Sequence, residues 1–118
     1  MQLRISTRTR DGVLIVDCSG RLVFGEETAL LRDLVKDTLP ECKQILLNLS
    51  GVDYIDSGGL GTLVSLFTSA RSLGGAIKLA NLTPRVGDLL QVTKLVTVFE
   101  VYNNEELAIQ SFRKSAAK

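Results

Sequence analysis

Apolar residues at the start of the chain first alternate with polar ones and then change to helical spacing. Leu3 and Ile5 alternate with polar neighbours, and Asp11-Gly12 separates them from a second apolar run. This arrangement predicts two antiparallel strands joined by a tight hairpin. Between residues 26 and 39 apolar residues recur every three or four positions, which predicts a helix.

Extended and helical patterns alternate through the rest of the chain. Residues 44–49 are nearly all apolar, which is typical of a central strand covered on both faces. The pattern then predicts a loop at 50–55 and a helix at 60–70. A strand at 76–80, a helix at 84–90, a last strand at 98–101 and a final helix at 107–112 follow.

Capping residues support two of these helices. Thr83 precedes a proline that suits the first helical position, and Asn103 followed by Glu106 resembles a capping arrangement. The order of elements predicts one α/β domain over residues 1–118, with a mixed sheet of about five strands and four helices mainly on one face.

Composition restricts the chemistry of the chain. It has 118 residues, with 14 Lys and Arg against 13 Asp and Glu, so a net charge of +1 gives no reason to expect nucleic acid as a partner. Arg4, Arg8 and Arg10 on the first strand are expected to form a solvated face. His is absent, which removes the commonest general base and the commonest nitrogen ligand for metals.

The cysteines and the hydropathy pattern indicate a cytoplasmic protein. Cys18 and Cys42 lack C-x-x-C spacing and are interpreted as small core residues in a reducing compartment. No stretch approaches the roughly 18 apolar residues needed to span a bilayer, and residues 1–10 lack the apolar stretch of a signal peptide. No membrane insertion is therefore expected.

The most informative segment is Asp-Ser-Gly-Gly-Leu-Gly at residues 56–61, between a buried strand and a helix. Because glycine inside a helix costs up to about 1 kcal/mol relative to alanine, the three glycines imply unusual backbone or close contacts. A purely structural interpretation, in which Ser57 is the N-cap of a tight turn, stays open on these grounds.

Three enzymatic interpretations of this segment each lack a required group. A serine hydrolase needs a base, but there is no His and no G-x-S-x-G around Ser57. A phosphate-binding loop needs a Lys before Thr62, and a dinucleotide fingerprint needs a glycine where Val64 stands. We expect no enzyme activity.

Residues 52–61, Val-Asp-Tyr-Ile-Asp-Ser-Gly-Gly-Leu-Gly, resemble the signature of STAS domains, in particular bacterial anti-sigma-factor antagonists. In that family D-S-x-G-L-G carries a phosphorylated serine, a position that Ser57 takes here. Further similar segments occur in the expected order, at Gly20-x-Leu22, Thr83-Pro84-x-Val86, Phe99-x-Val101-Tyr102 and Glu105-Glu106-Leu107-Ala108.

The resemblance implies a non-enzymatic regulator. The unphosphorylated protein would bind an anti-sigma factor with serine-kinase activity and so free the sigma factor, and a serine phosphatase could reverse phosphorylation. ATP and Mg²⁺ would belong to the kinase, so no cofactor is assigned to this chain. The resemblance assigns Ser57 as the phosphoacceptor and a partner-binding segment formed by Asp56, Ser57, Gly58, Gly59 and Leu60.

The chain departs from the family pattern at two places. Many relatives have acidic residues in the turn after the second strand, where this chain has Arg21 and Val23. Gly58 replaces a second hydroxyl residue common in relatives, which leaves Ser57 as the only acceptor in the motif.

Two other functions stay open. One is a constitutive STAS adaptor of a signalling or transport complex, in which Ser57 is never modified. The other is a small-ligand or nucleotide-binding domain that uses the free amides at the start of the helix after Ser57.

Overall fold

The computed structural model describes residues 3–116 and contains a five-stranded sheet in the order β1-β2-β3-β4-β5. Met1, Gln2, Ala117 and Lys118 lie outside the described range. The elements are β1 (Arg4–Arg10), β2 (Val13–Leu22), α1 (Glu26–Thr38), β3 (Gln44–Ile55), α2 (Ser57–Ser72), β4 (Ala76–Ala80), α3 (Pro84–Val92), β5 (Val101–Tyr102) and α4 (Glu105–Ala116).

The sheet is mixed, as predicted. β1 is antiparallel to β2, and the turn between them places both Asp11 and Gly12 at positive φ, as a two-residue hairpin of this kind requires. All other neighbouring strands are parallel. Each parallel pair is connected by a helical crossover, which is the usual solution for parallel strands.

The helices are mainly on one face of the sheet, with α4 as the exception. Val16 and Leu47 contribute to the larger core under α1, α2 and α3. Their neighbours Ile15 and Leu46 point to the opposite face, where α4 covers them with Ala108, Ile109 and Phe112. Because both faces are buried, the central strands are apolar at successive positions.

Ion pairs hold the start of α4 against β1. Arg8 contacts Asp17 at 2.7 Å and also pairs with Glu105, and Arg10 pairs with Glu105 at 2.9 Å and with Glu106. The hydrogen bonds from Arg8 and then Arg10 lower the pKa of Glu105. The side chains of Arg8 and Arg10 are still 45% and 41% exposed, so the face is solvated as expected, but α4 also brings two carboxylates onto it, which the sequence did not indicate.

A buried lysine makes a second connection to α4. Lys78 on β4 is 1% exposed, and its Nζ donates to Ser111 Oγ at 2.9 Å. The ammonium group also lies 3.4 Å from the Glu100 carboxylate and 4.5 Å from the ring centroid of Phe112. Its charge is thus compensated beneath the helix, as a buried charge requires.

Two predicted boundaries before α2 were wrong. Residues 50–55, predicted as a loop, continue β3, and Gly20-x-Leu22, predicted as a turn, continues β2. Leu22 pairs with Ile55 across a ladder whose register shifts after Asp17 and after Gly20. Despite these irregularities the two strands stay paired up to the start of α2, which the alternation of apolar residues alone did not indicate.

The last strand and two caps also differ from the predictions. The strand predicted at 98–101 is reduced to Val101–Tyr102 after a short 3₁₀ helix at Leu95–Thr97. The cap of α4 is Asn104, whose Oδ1 accepts from Leu107 N at 2.9 Å, and not Asn103. Thr83 occupies the N-cap position of α3, but its hydroxyl donates to Val52 O at 2.7 Å.

Both cysteines are free thiols. Cys18 is buried as predicted, and burial raises its pKa to about 12, whereas Cys42 is half-buried.

Within residues 3–116, none of the helices combines the length and the apolar character that crossing a bilayer would take.

The Glu105 ion pairs predict a pH-dependent contribution to stability. Because the folded-state pKa of Glu105 is lowered, the contribution is present above its ordinary value of 4.5 and is lost as pH falls through the folded pKa. Glu105→Gln should lower the free energy of unfolding by about 1 kcal/mol at neutral pH, measured by urea denaturation.

The difference between Glu105→Gln and wild type should disappear at a pH well below 4.5. Glu106→Gln is the matched control, since Glu106 is also in the first turn of α4 but, among the described residues, pairs with Arg10 alone. Equal effects of the two variants would contradict a specific role for Glu105.

Candidate functional site

The predicted site lies at the start of α2, where Asp56 is the N-cap and Ser57 is the first helical residue. Asp56 Oδ1 accepts from Gly59 N at 2.8 Å, and its two carboxylate oxygens lie 3.2 and 3.3 Å from Phe24 N. The structural interpretation with Ser57 as the cap is therefore incorrect. Because Asp56 performs the capping, the Ser57 hydroxyl is not needed for it.

The charge of Asp56 is stabilised by the backbone. The N–H of Gly59, and after it that of Phe24, lowers the pKa of this carboxyl group despite an opposing contribution from desolvation. Asp56 is therefore ionised at neutral pH, and its carboxylate bridges α2 and the segment that follows β2. The bridge fixes the backbone on which Ser57 is presented.

Two of the three glycines are required by close packing. A Cβ on Gly59 would lie 2.0 Å from Leu22 O, and a Cβ on Gly58 would lie 2.4 Å from Phe24 Cβ. At Gly61, by contrast, a Cβ would meet nothing within 4 Å. The sequence-based expectation of an obstructing contact holds for Gly58 and Gly59, and it is wrong for Gly61.

The predicted site residues differ in accessibility. Ser57 is exposed and Gly58 is half-buried, whereas Gly59 and Leu60 are buried. Leu60 belongs to the core under α2, and Gly59 packs on β2. The exposed surface of the motif is therefore formed mainly by Ser57 and, one helical turn later, by Gly61.

Phe24, which no sequence pattern singled out, also belongs to this surface. Its side chain is 82% exposed, although its backbone and Cβ pack against Asp56 and Gly58. A single apolar residue in a loop carries no periodic signal, so only its contact with α2 indicates its place beside Ser57. An exposed aromatic residue at this position can contribute to a protein interface.

The end of the sheet beside α2 also carries two arginines on one aromatic ring. Arg21 on β2 and Arg85 on α3 each lie 4.7 Å from the ring centroid of Tyr54. The sequence singled out Arg21 only as a departure from the family pattern. Arg85 could not be linked to it, because α3 approaches β3 only in the tertiary structure.

The site can accept a negatively charged group on Ser57. A 16-residue helix begins there, and the positive end of its dipole favours an anion. Within residues 3–116, no group of three or more His, Cys, Asp or Glu side chains could hold a metal ion. An exposed hydroxyl at a rigid helix start is thus the main chemical feature.

Comparison with known proteins agrees with this arrangement. The STAS domain family model matches residues 4–108. The chain is 30% identical to the anti-sigma F factor antagonist of Paenibacillus polymyxa, covering 92% of this chain and 94% of the relative. It is 25% identical to the anti-sigma-B factor antagonist of Bacillus subtilis, covering 93% and 100%.

Solved structures show the same fold. The crystal structure of a putative anti-sigma factor antagonist from Thermotoga maritima superposes with a TM-score of 0.85 at 29% identity, covering 92% of this chain and 94% of that one. Both the family model and the relatives extend over nearly all of the described elements. The chain therefore belongs to the STAS domain family, and its curated relatives are named anti-sigma factor antagonists.

Proposed function

We propose that this protein is a non-enzymatic, cytoplasmic anti-sigma-factor antagonist whose activity is controlled by phosphorylation of Ser57. In its unphosphorylated form it binds an anti-sigma factor with serine-kinase activity, and phosphorylation ends that binding. The observation that carries this proposal is the exposed Ser57 hydroxyl at the start of α2, on a backbone fixed by the Asp56 cap. ATP and Mg²⁺ enter with the kinase, and a serine phosphatase restores the active form.

The fold should tolerate a phosphate at Ser57. The modification adds about 1.5 to 2 negative charges at a helix N-terminus, where a negative group stabilises by about 0.3 to 1 kcal/mol. Since Ser57 is exposed, the phosphate stays hydrated in the free protein. Phosphorylation is therefore expected to leave the monomer folded.

The complex should not tolerate the same phosphate. Asp56 already places one ionised carboxylate next to Ser57, and a partner docked on this surface would have to desolvate the added charge. Burying a charge without a compensating partner costs about 2 to 5 kcal/mol, which corresponds to roughly thirty-fold to several-thousand-fold weaker binding. The switch then acts on binding and not on folding.

A direct prediction concerns the modified protein. Phosphoserine at 57 should leave the melting temperature nearly unchanged and weaken binding to the anti-sigma factor by at least about thirty-fold. Ser57→Ala should bind as the unmodified protein does and stay bound in the presence of kinase and ATP. Calorimetric titration against each purified anti-sigma factor kinase of the source organism measures these affinities.

Ser65→Ala is the matched control for the phosphorylation assay, because Ser65 is also exposed on α2. Mass spectrometry should find phosphate on wild type and Ser65→Ala, and none on Ser57→Ala. Equal affinity of the phosphorylated and unmodified proteins would contradict the switch and favour a constitutive adaptor. Saturable binding of nucleotide by the free chain would favour the ligand-binding alternative.

A second prediction uses Gly61, which the monomer does not require. Gly61→Ala should raise the free energy of unfolding by about 0.5 to 1 kcal/mol, since a Cβ there has open space and alanine favours the helix. If the partner packs against this turn of α2, the added methyl group should also weaken binding. Denaturation and titration of the same variant measure both effects.

Gly87→Ala provides the matched control for that comparison. Gly87 is also within a helix, and a Cβ there would likewise meet nothing within 4 Å, but it lies on α3. The Gly87→Ala variant should show a similar increase in the free energy of unfolding and should bind the anti-sigma factor with the affinity of the wild type. Unchanged affinity of Gly61→Ala would show that the partner does not approach this turn closely.

A further inference from the structure

Arg21 and Arg85 form a pair of positive charges around one tyrosine ring, referred to below as the arginine pair. Arg21 lies opposite Tyr54 in the β2–β3 ladder, and Arg85 is in the first turn of α3. Both guanidinium carbons are 4.7 Å from the ring centroid, a distance at which cation–π attraction operates. The ring therefore orients two cations that come from separate elements.

Neither arginine of the pair is neutralised by a carboxylate, a property that they share with Arg4, Arg32 and Arg71 within the described residues; the contact with a common ring is what sets the pair apart. Arg8, Arg10 and Arg113 each contact a carboxylate, whereas neither Arg21 nor Arg85 has an ion pair within the described part of the chain. Since both contact one ring, they lie within about one Debye length of each other and repel. An external anion would relieve this repulsion.

An open cleft adjoins the arginine pair. Its volume is about 350 Å³, and its lining residues are Tyr54, Ile55, Arg85, Asp88, Leu89 and Val92. Val92, the last residue of α3, is 80% exposed and contributes apolar surface to the cleft. The lining contains one basic residue, Arg85, and one acidic residue, Asp88. Because Arg21 contacts the same tyrosine ring, two cations and one carboxylate border the apolar surface.

The arginine pair is next to the phosphorylation site of the proposed function. Tyr54 precedes Ser57 by three residues, so their Cα atoms are at most about 11 Å apart. Leu22, which follows Arg21, accepts from Asp56 N at 3.3 Å. A phosphate on Ser57 would therefore act on these cations at a range where charges are only partly screened.

We infer that the arginine pair binds carboxylates of the anti-sigma factor, on a segment of the partner that also places an apolar side chain in the cleft. This inference rests on the proposed function and specifies, in addition, that the partner surface carries negative charge. Phosphoserine 57 then weakens binding partly by competing with those carboxylates for the two guanidinium groups. The partner surface facing this edge of the sheet is accordingly acidic.

The first test uses a defined probe and no anti-sigma factor. A short peptide of alternating Glu and Leu is titrated into the labelled protein, with a peptide of alternating Lys and Leu as the comparison. The Glu peptide should shift the side-chain NMR signals of Arg21 and Arg85 in a saturable, salt-sensitive manner. Shifts elsewhere only, or equal shifts with the Lys peptide, would overturn the inference.

Charge variants make this test specific. The double variant R21Q/R85Q should lose at least about tenfold in affinity for the Glu peptide, whereas Asp88→Asn should gain affinity because it removes a repelling carboxylate. Arg71→Gln is the matched control, since Arg71 is exposed and lies over the Phe67 ring at 5.8 Å, on the last turn of α2. A higher affinity of Asp88→Asn for the Glu peptide cannot arise from misfolding.

The second test uses the anti-sigma factor that binds the wild type. R21Q/R85Q should bind it at least about tenfold more weakly and should show a smaller loss on Ser57 phosphorylation than wild type does. If Ser57 controls binding while R21Q/R85Q binds normally, the inference is overturned and the proposed function stands. If the arginine pair binds the peptide but phosphorylation has no effect, the proposed switch fails and the docking site stands.

Discussion

The arrangement of this protein depends on the close approach between the end of β2 and the start of α2. Leu22 O occupies the space that a side chain on Gly59 would need, and Phe24 does the same beside Gly58. The Asp56 carboxylate then joins the two segments by accepting from both backbones. Backbone packed this tightly holds Ser57 at a defined position, as the proposed phosphorylation site would require.

The rest of the fold supports that edge. The central strands bury both faces, and α4 closes the second face through a small core, Lys78 and the ion pairs of Glu105. These features lie on elements other than the start of α2, so the groups that stabilise the second core are separate from those proposed to control binding. A charge added at Ser57 can therefore change binding without weakening the core.

Electrostatics at this edge has two opposing components. The helix N-terminus and the arginine pair favour an anion, whereas Asp56 adds a negative charge whose hydrogen bonds are already made within the loop. In the free protein the charge of a phosphate on Ser57 would be compensated by the helix N-terminus, by the arginine pair and by water. In the proposed complex with an acidic partner, the same phosphate would compete with the partner's carboxylates for the two guanidinium groups, so the cations that compensate the phosphate in the free protein would also account for part of the loss of binding.

The sequence by itself determined the order of most elements, the mixed sheet and the motif around Ser57, because periodicity, glycines and caps are local signals. Only the tertiary structure decided that β3 runs to Ile55, that α4 covers the opposite face and that Asp56 caps α2. Arg21 and Arg85 are far apart in sequence, and only strand register and helix packing bring them to Tyr54. Contacts of this kind depend on distances between elements, which no local pattern of residues encodes.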